Sequence, residues 1–101
     1  MKICYSDDKI DHELSAKFAH SLFLAGPTPR SDDVQSWRPD ALKILKELNY
    51  KGLVWVPEYK EKPDDFDYLH QVNWEKWGLT SCVKIIFWVP RKIPEMSALF
   101  P

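Results

Sequence analysis

Apolar residues in this chain fall into two kinds of run. Short, nearly continuous runs rich in β-branched and aromatic residues occur at SLFLA (Ser21–Ala25), LVWVP (Leu53–Pro57) and VKIIFWVP (Val83–Pro90). Continuity rather than alternation is the mark of strands covered on both faces. Between these runs the spacing becomes helical. From Trp37 to Leu48, the residues Ala41, Ile44, Leu45 and Leu48 recur at i, i+3, i+4 and i+7, with Ser36 placed as N-cap, Pro39 in the first turn and Gly52 beyond the end. From Asp65 to Ser81, Leu69, Val72 and Leu79 share a face that should turn inward. The order is β-α-β-α-β, which predicts an α/β fold with a parallel sheet, right-handed crossovers and flanking helices. KICY near the start reads as a further strand, the polar stretch after it carries no assignment, and YKEKPDDFD reads as a surface loop.

In open α/β sheets the ligand sits outside the carboxyl ends of the strands. Three loops meet there: GPTPR after the first core strand, PEYKEK after the second and PRKIPEM after the third. Gly26 permits close backbone approach, Thr28 offers a hydroxyl and Arg30 a fork of donors, a set suited to a sugar or phosphate oxygen. Neither GxxxxGK[ST] nor GxGxxG is present, and a plain strand-ending turn with two prolines fits the same residues. Glu58 and Tyr59 stand at the crevice rim, where loop solvation is the alternative. Arg91 suits an anion or a helix cap equally. Trp37, Trp55 and Trp88 read as core residues, Trp37 being the best placed of them to stack on a base. Glu75 lies on the Val72/Leu79 stripe, where a carboxylate is costly unless paired or used; on pattern alone it sits at the stripe's edge and reaches water. His12, His20 and His70 form no triad with Ser or Cys, and neither a nucleophile elbow nor a metal-ligand cluster is present.

Composition narrows the partners. The 101 residues suit one domain spanning 1–101, and 45% hydrophobic content with 14% aromatics suffices for a core. A net charge of -1 supplies no broad basic field, so polymeric nucleic acid and anionic membrane are not the expected partners. Cys4 and Cys82 are far apart and lack zinc-ligand spacing; they read as reduced thiols, Cys82 buried where the third core strand begins. MKICYSDDKI lacks the apolar region of a signal peptide and no apolar run reaches membrane-spanning length, which makes the cytoplasm the expected location.

Taken together, SLFLAGPTPRSDDVQSWRPDAL, GLVWVPE, QVNWE and IIFWVPR resemble the nucleoside 2-deoxyribosyltransferase-like family, in these blocks, this order and about these spacings from Ser21 onward. The resemblance implies a flavodoxin-like (Rossmann-like) fold, here truncated after the third core strand. It also implies cleavage or exchange of the N-glycosidic bond of 2'-deoxynucleosides or their 5'-monophosphates through a glutamate nucleophile, with no cofactor. On this likeness Gly26, Pro27, Thr28, Pro29 and Arg30 correspond to the sugar or phosphate loop. Ser36, Trp37 and Arg38 correspond to an SWRP element, and Glu75 to a carboxylate that orients the sugar or the catalytic group rather than attacking. Two departures stand out. Cys82 and Val83 replace a common Ala-Asp, and the TTNxEFG-like segment bearing the nucleophile would follow PEMSALF, beyond Pro101. Either the 101 residues are part of a longer chain, or they form a short version without catalysis that binds nucleotides or regulates. Recruitment of Glu95 or Glu58 as nucleophile has no motif behind it. A sheet ending this way should leave its last strand partly exposed or covered by another copy, so a homo-oligomer is expected.

Overall fold

Four short strands, β1 (Lys2–Tyr5), β2 (Ser21–Ala25), β3 (Leu53–Val56) and β4 (Lys84–Phe87), form one sheet in the order β1-β3-β2-β4. The computed structural model describes residues 1–29, 33–61 and 63–89. All three pairings are parallel: Cys4 opposes Trp55, Phe23 opposes both Trp55 and Ile85, and Leu24 opposes Ile86. Parallel neighbours need crossover connections. Helix α1 (Arg38–Glu47) joins β2 to its neighbour β3, and α2 (Tyr68–Ser81) carries the chain from β3 past β2 to β4. The link from β1 to β2 holds a 3₁₀ turn, Leu14–Lys17. The result is a small parallel sheet flanked by helices, of the general Rossmann or flavodoxin-like type. KICY is its outer strand beside β3.

The period-2 alternation of the strands sorts side chains onto two faces. Cys4, Phe23, Leu53 and Trp55 meet Trp74 and Trp77 of α2, with Ile10, Leu14 and Phe18 of the β1–β2 connection packed at the margin. Leu24, Val54 and Val56 meet Ala41, Leu42 and Leu45 of α1, together with Ile3, Tyr5, Trp37 and Tyr50. Each fully buried apolar side chain of this size stabilises by about 1.5–3 kcal/mol relative to exposure. Gly78 lets α2 approach the sheet, since a Cβ there would lie 2.7 Å from the ring of Phe23.

Both helices are rotated from the faces their apolar spacing predicts. In α2 the buried residues are Trp74, Trp77 and Gly78, while Leu69, Val72 and Leu79 are 68%, 40% and 44% exposed. The two indoles pack against Phe23 and Trp55, tilted or edge-on at centroid distances of 6.0 and 5.5 Å, and Gly78 beside them leaves room for that approach. In α1 the inward face runs Arg38, Ala41, Leu42, Leu45, leaving Ile44 and Leu48 exposed. Leu42 takes the inward place that the spacing gives to Ile44, and the Arg38 guanidinium extends the buried face at the first turn.

Element ends also differ in detail. Trp37, not Ser36, is the N-cap of α1, although the Ser36 hydroxyl accepts the Arg38 N–H at 3.1 Å. The helix ends at Glu47 with Leu48 as its cap, and Asn49 just beyond takes the left-handed φ of 60°, before Gly52 is reached. Asn49 N–H donates to Lys46 O and Tyr50 N–H to Leu45 O, the paired bonds of a Schellman motif. Helix α2 starts at Tyr68 rather than Asp65 because Asp67 caps it by accepting the His70 N–H. Cys82 is half-buried, not buried, and all four residues of β4 are exposed, so continuity of apolar residues there does not report cover on both faces.

Candidate functional site

The carboxyl ends of β2 and β3 are held together by one side chain. Arg38, first residue of α1, is 1% exposed and reaches back under the sheet's rim. Its Nε donates to Leu24 O at 3.0 Å and its Nη2 to Gly26 O at 2.9 Å. Its Nη1 donates to Thr28 Oγ1 at 2.9 Å and to Glu58 Oε2 at 2.6 Å. Ser36 Oγ donates to the same Glu58 oxygen at 2.6 Å. A buried guanidinium needs every one of these acceptors, and the carbonyls of a strand end have no ladder partner of their own. The arrangement therefore solves two problems at once: it neutralises the cation and occupies carbonyls left over where β2 stops.

Of the sequence-predicted site residues, Gly26, Pro27, Thr28, Ser36, Trp37, Arg38 and Glu58 are brought into this one cluster. Pro27 O accepts from Trp37 Nε1 at 3.1 Å. Gly26 has φ +137°, and a Cβ on it would lie 2.8 Å from Trp88 O and 3.2 Å from the Trp37 ring. Ser36 and Arg38 face Glu58 and the loop. Glu58 Oε1 has no partner among the described residues, and the side chain is 21% exposed, so this oxygen can accept from a ligand hydroxyl. Glu75 is half-buried on the flank of α2 and makes no hydrogen bond or ion pair among the described residues. Arg30 and Arg91, and the whole PRKIPEM loop, lie outside the described residues.

A second set of contacts ties β1 to the same rim. Ser6 N–H donates to Glu58 O at 2.9 Å, and His70 Nε2 lies 2.8 Å from Ser6 O, which makes it the protonated nitrogen of the ring. Asp7 accepts from the N–H groups of Lys60 and Glu61. Partial burial alone would raise the Asp7 carboxyl, but these backbone donors outweigh it and hold the group below its ordinary 3.8. The Tyr59 phenol is pushed above its ordinary value, first by burial and then by the negative charges of Asp67, Asp7 and Glu75. Ser6, Asp7 and His70 escape a reading of the sequence, since a lone Ser-Asp after a strand is a common turn.

Aromatic residues complete the rim. Trp37 and Trp88 stack with centroids 5.4 Å apart and planes 25° from parallel, and the Arg38 guanidinium carbon sits 5.0 Å from the Trp37 ring. Trp55 is wholly buried as expected, but Trp88 is 43% exposed and is not a core residue. Its position could have been found from the chain: it follows β4 directly, as Gly26 follows β2. Among the described residues no three His, Cys, Asp or Glu side chains converge as metal ligands, and no helix is long and apolar enough to cross a membrane. No protein-family model matches the chain, and no curated protein matches it.

Proposed function

We propose that this chain is a nucleoside 2-deoxyribosyltransferase-like domain of flavodoxin-like fold that binds 2'-deoxynucleosides or their 5'-monophosphates where β2 and β3 end. The observation carrying this reading is the Arg38 cluster. The blocks GPTP, SWRP and VPE, separate in sequence, become one hydrogen-bonded unit in which Arg38 and Ser36 hold Glu58 beside the loop of Gly26 and Thr28. The unit presents a carboxylate oxygen to a sugar hydroxyl at the position where α/β sheets take their ligands. Glu75 serves as an orienting carboxylate. Arg30 and Arg91 supply charge for a 5'-phosphate.

Turnover in this reading is a displacement at the anomeric carbon. A glutamate oxygen forms the new C–O bond as the C–N bond to the base breaks; the base leaves with a proton, and water or a second base then replaces the enzyme oxygen. The attacking glutamate is the residue that the resemblance puts beyond Pro101. Within the described residues Glu58 is already engaged by two donors on one oxygen, which suits holding a ligand better than attacking it. That favours, for residues 1–101 by themselves, a second reading: a nucleotide-binding or regulatory module without turnover. The ligand is a small metabolite, no cofactor takes part, and the cytoplasm is the compartment such ligands imply.

The test is incubation with a panel of 2'-deoxynucleosides and their 5'-monophosphates, with free base followed by chromatography and binding by calorimetry. Base release supports the enzyme and makes Glu75 the first position to mutate. Binding without release supports the module. No binding by any of the panel overturns both.

A further inference from the structure

Trp37 is the indole that sequence reasoning offers to a nucleobase, but its placement does not suit the task. Its Nε1 is spent on Pro27 O, it is half-buried, and its ring already meets Arg38 and Trp88. Trp88 is differently placed. It stands at the carboxyl end of β4, anchored by its own N–H, which donates to Ala25 O at 3.1 Å, and it is 43% exposed while lying against Trp37.

The strand order makes this location special. From β2 the chain runs through α1 to β3 on one side, and from β3 it returns through α2 to β4 on the other. The carboxyl ends of β2 and β4 therefore flank the point where the winding reverses, the place at which open α/β sheets take their ligands. Gly26 closes the β2 side of that point. Both Trp88 O and the Trp37 ring approach it so closely that no Cβ fits, and its φ of +137° suits glycine alone. The chain thus gives up a side chain at position 26 to bring the two indoles together.

We propose that Trp88, backed by Trp37, is the platform on which the planar heteroaromatic base of the ligand stacks. This rests on the nucleoside-binding reading above and deepens it by assigning the base subsite. An indole backed by a second indole is held in one orientation before the ligand arrives, so little rotamer freedom remains to be lost on binding. Stacking on a π-face tolerates any base, which predicts that both purine and pyrimidine nucleotides bind, the larger purine ring somewhat more tightly. Recognition of the sugar falls to the Glu58 and Gly26–Thr28 side of the cluster.

The experiment titrates the protein by calorimetry with 2'-deoxyadenosine 5'-monophosphate, 2'-deoxycytidine 5'-monophosphate and the base-free 2-deoxyribose 5-phosphate. Trp88→Ala, Trp88→Leu and Trp88→Phe are titrated alongside, each checked for its fold by far-ultraviolet circular dichroism. The expected result is about a tenfold weakening of both nucleotides in the Ala and Leu variants, most of the affinity retained in Phe, and no change for the sugar phosphate. Ligand-observed saturation transfer on the unaltered protein should be strongest at base protons, a readout that holds even if a variant fails to fold. Unchanged nucleotide affinity in the variants, or saturation concentrated on the sugar, overturns the platform and leaves the nucleoside-binding reading standing. Equal weakening of the sugar phosphate also overturns it, because Trp88 would then act by shaping the loop. Absence of binding by all three ligands overturns the platform together with the reading beneath it.

Discussion

Arg38 and Glu58 meet at 2.6 Å, the arginine 1% and the glutamate 21% exposed. The pair links the first residue of α1 to the loop after β3, and through the same guanidinium to Leu24 O, Gly26 O and Thr28 Oγ1. Such a pair gives little net stability over an apolar replacement, yet removing one partner is costly because the other is left uncompensated.

Arg38→Ala is accordingly expected to destabilise the fold by about 3 kcal/mol, the lower part of the usual range because Glu58 can partly rehydrate. Arg38→Lys should recover only a fraction, since an ammonium cannot span acceptors on two strands' ends with a planar fork. Urea unfolding of the three proteins decides this, and a loss below about 1 kcal/mol for Arg38→Ala would show the pair to be worth no more than a surface ion pair.

Gly26→Ala should cost about 1–3 kcal/mol from its backbone conformation alone, and more from the meeting of the new Cβ with Trp88 O. The Trp37–Trp88 stack should loosen with it. Near-ultraviolet circular dichroism, which reports coupled indoles, is expected to change in Gly26→Ala well below its unfolding transition, whereas Gly78→Ala should disturb the Phe23 and Trp55 packing and leave that stack in place.

Stability should fall at both ends of the pH range for different reasons. Burial first, and then the charge of Asp8, pushes the Cys4 thiol from 9.0 up to about 11. An acid raised on folding contributes stability that is complete below its unfolded value and lost as pH rises through the folded one, here between pH 9.0 and about 11. Asp7 has the opposite sign: held below 3.8, it contributes stability above that value and loses it as pH falls further. Urea midpoints measured against pH for the unaltered protein, Cys4→Ala and Asp7→Asn should show the alkaline loss reduced in the first variant and the acid loss reduced in the second. Cys4 should also resist thiol reagents at neutral pH until the protein unfolds.

Strand β4 presents Ile85, Ile86 and Phe87 at 53%, 40% and 62% exposure. Val72 and Leu79 on α2 are exposed as well, and among the described residues no strand pairs with the outer edge of β4, the kind of surface that recruits another copy. Sedimentation is expected to show concentration-dependent self-association that Ile86→Lys weakens; a single monomer boundary at high concentration would count against it.

How much of this could be read from the chain differs by element. The strand Ser21–Ala25 was legible to the residue because a short apolar run bounded by His20 and Gly26 has no other use. The cluster of GPTP, SWRP and VPE was legible as a set of residues but not as a mechanism. The family resemblance brought Arg38 forward as a ligand contact, and the structure places its guanidinium inside the fold.

Local pattern alone determined the element types and their order, and hence a parallel sheet with its loops converging at one end, because periods of 2 and 3.6 and the turn residues are properties of neighbouring positions. Tertiary structure decided which helix faces turned inward, that Arg38 ties β2 to β3, and that Trp88 rather than Trp37 stands exposed at the rim. Those outcomes depend on which surfaces meet: the indole face of α2 and the buried cation of α1 gain their advantage only against a partner that the linear pattern does not contain.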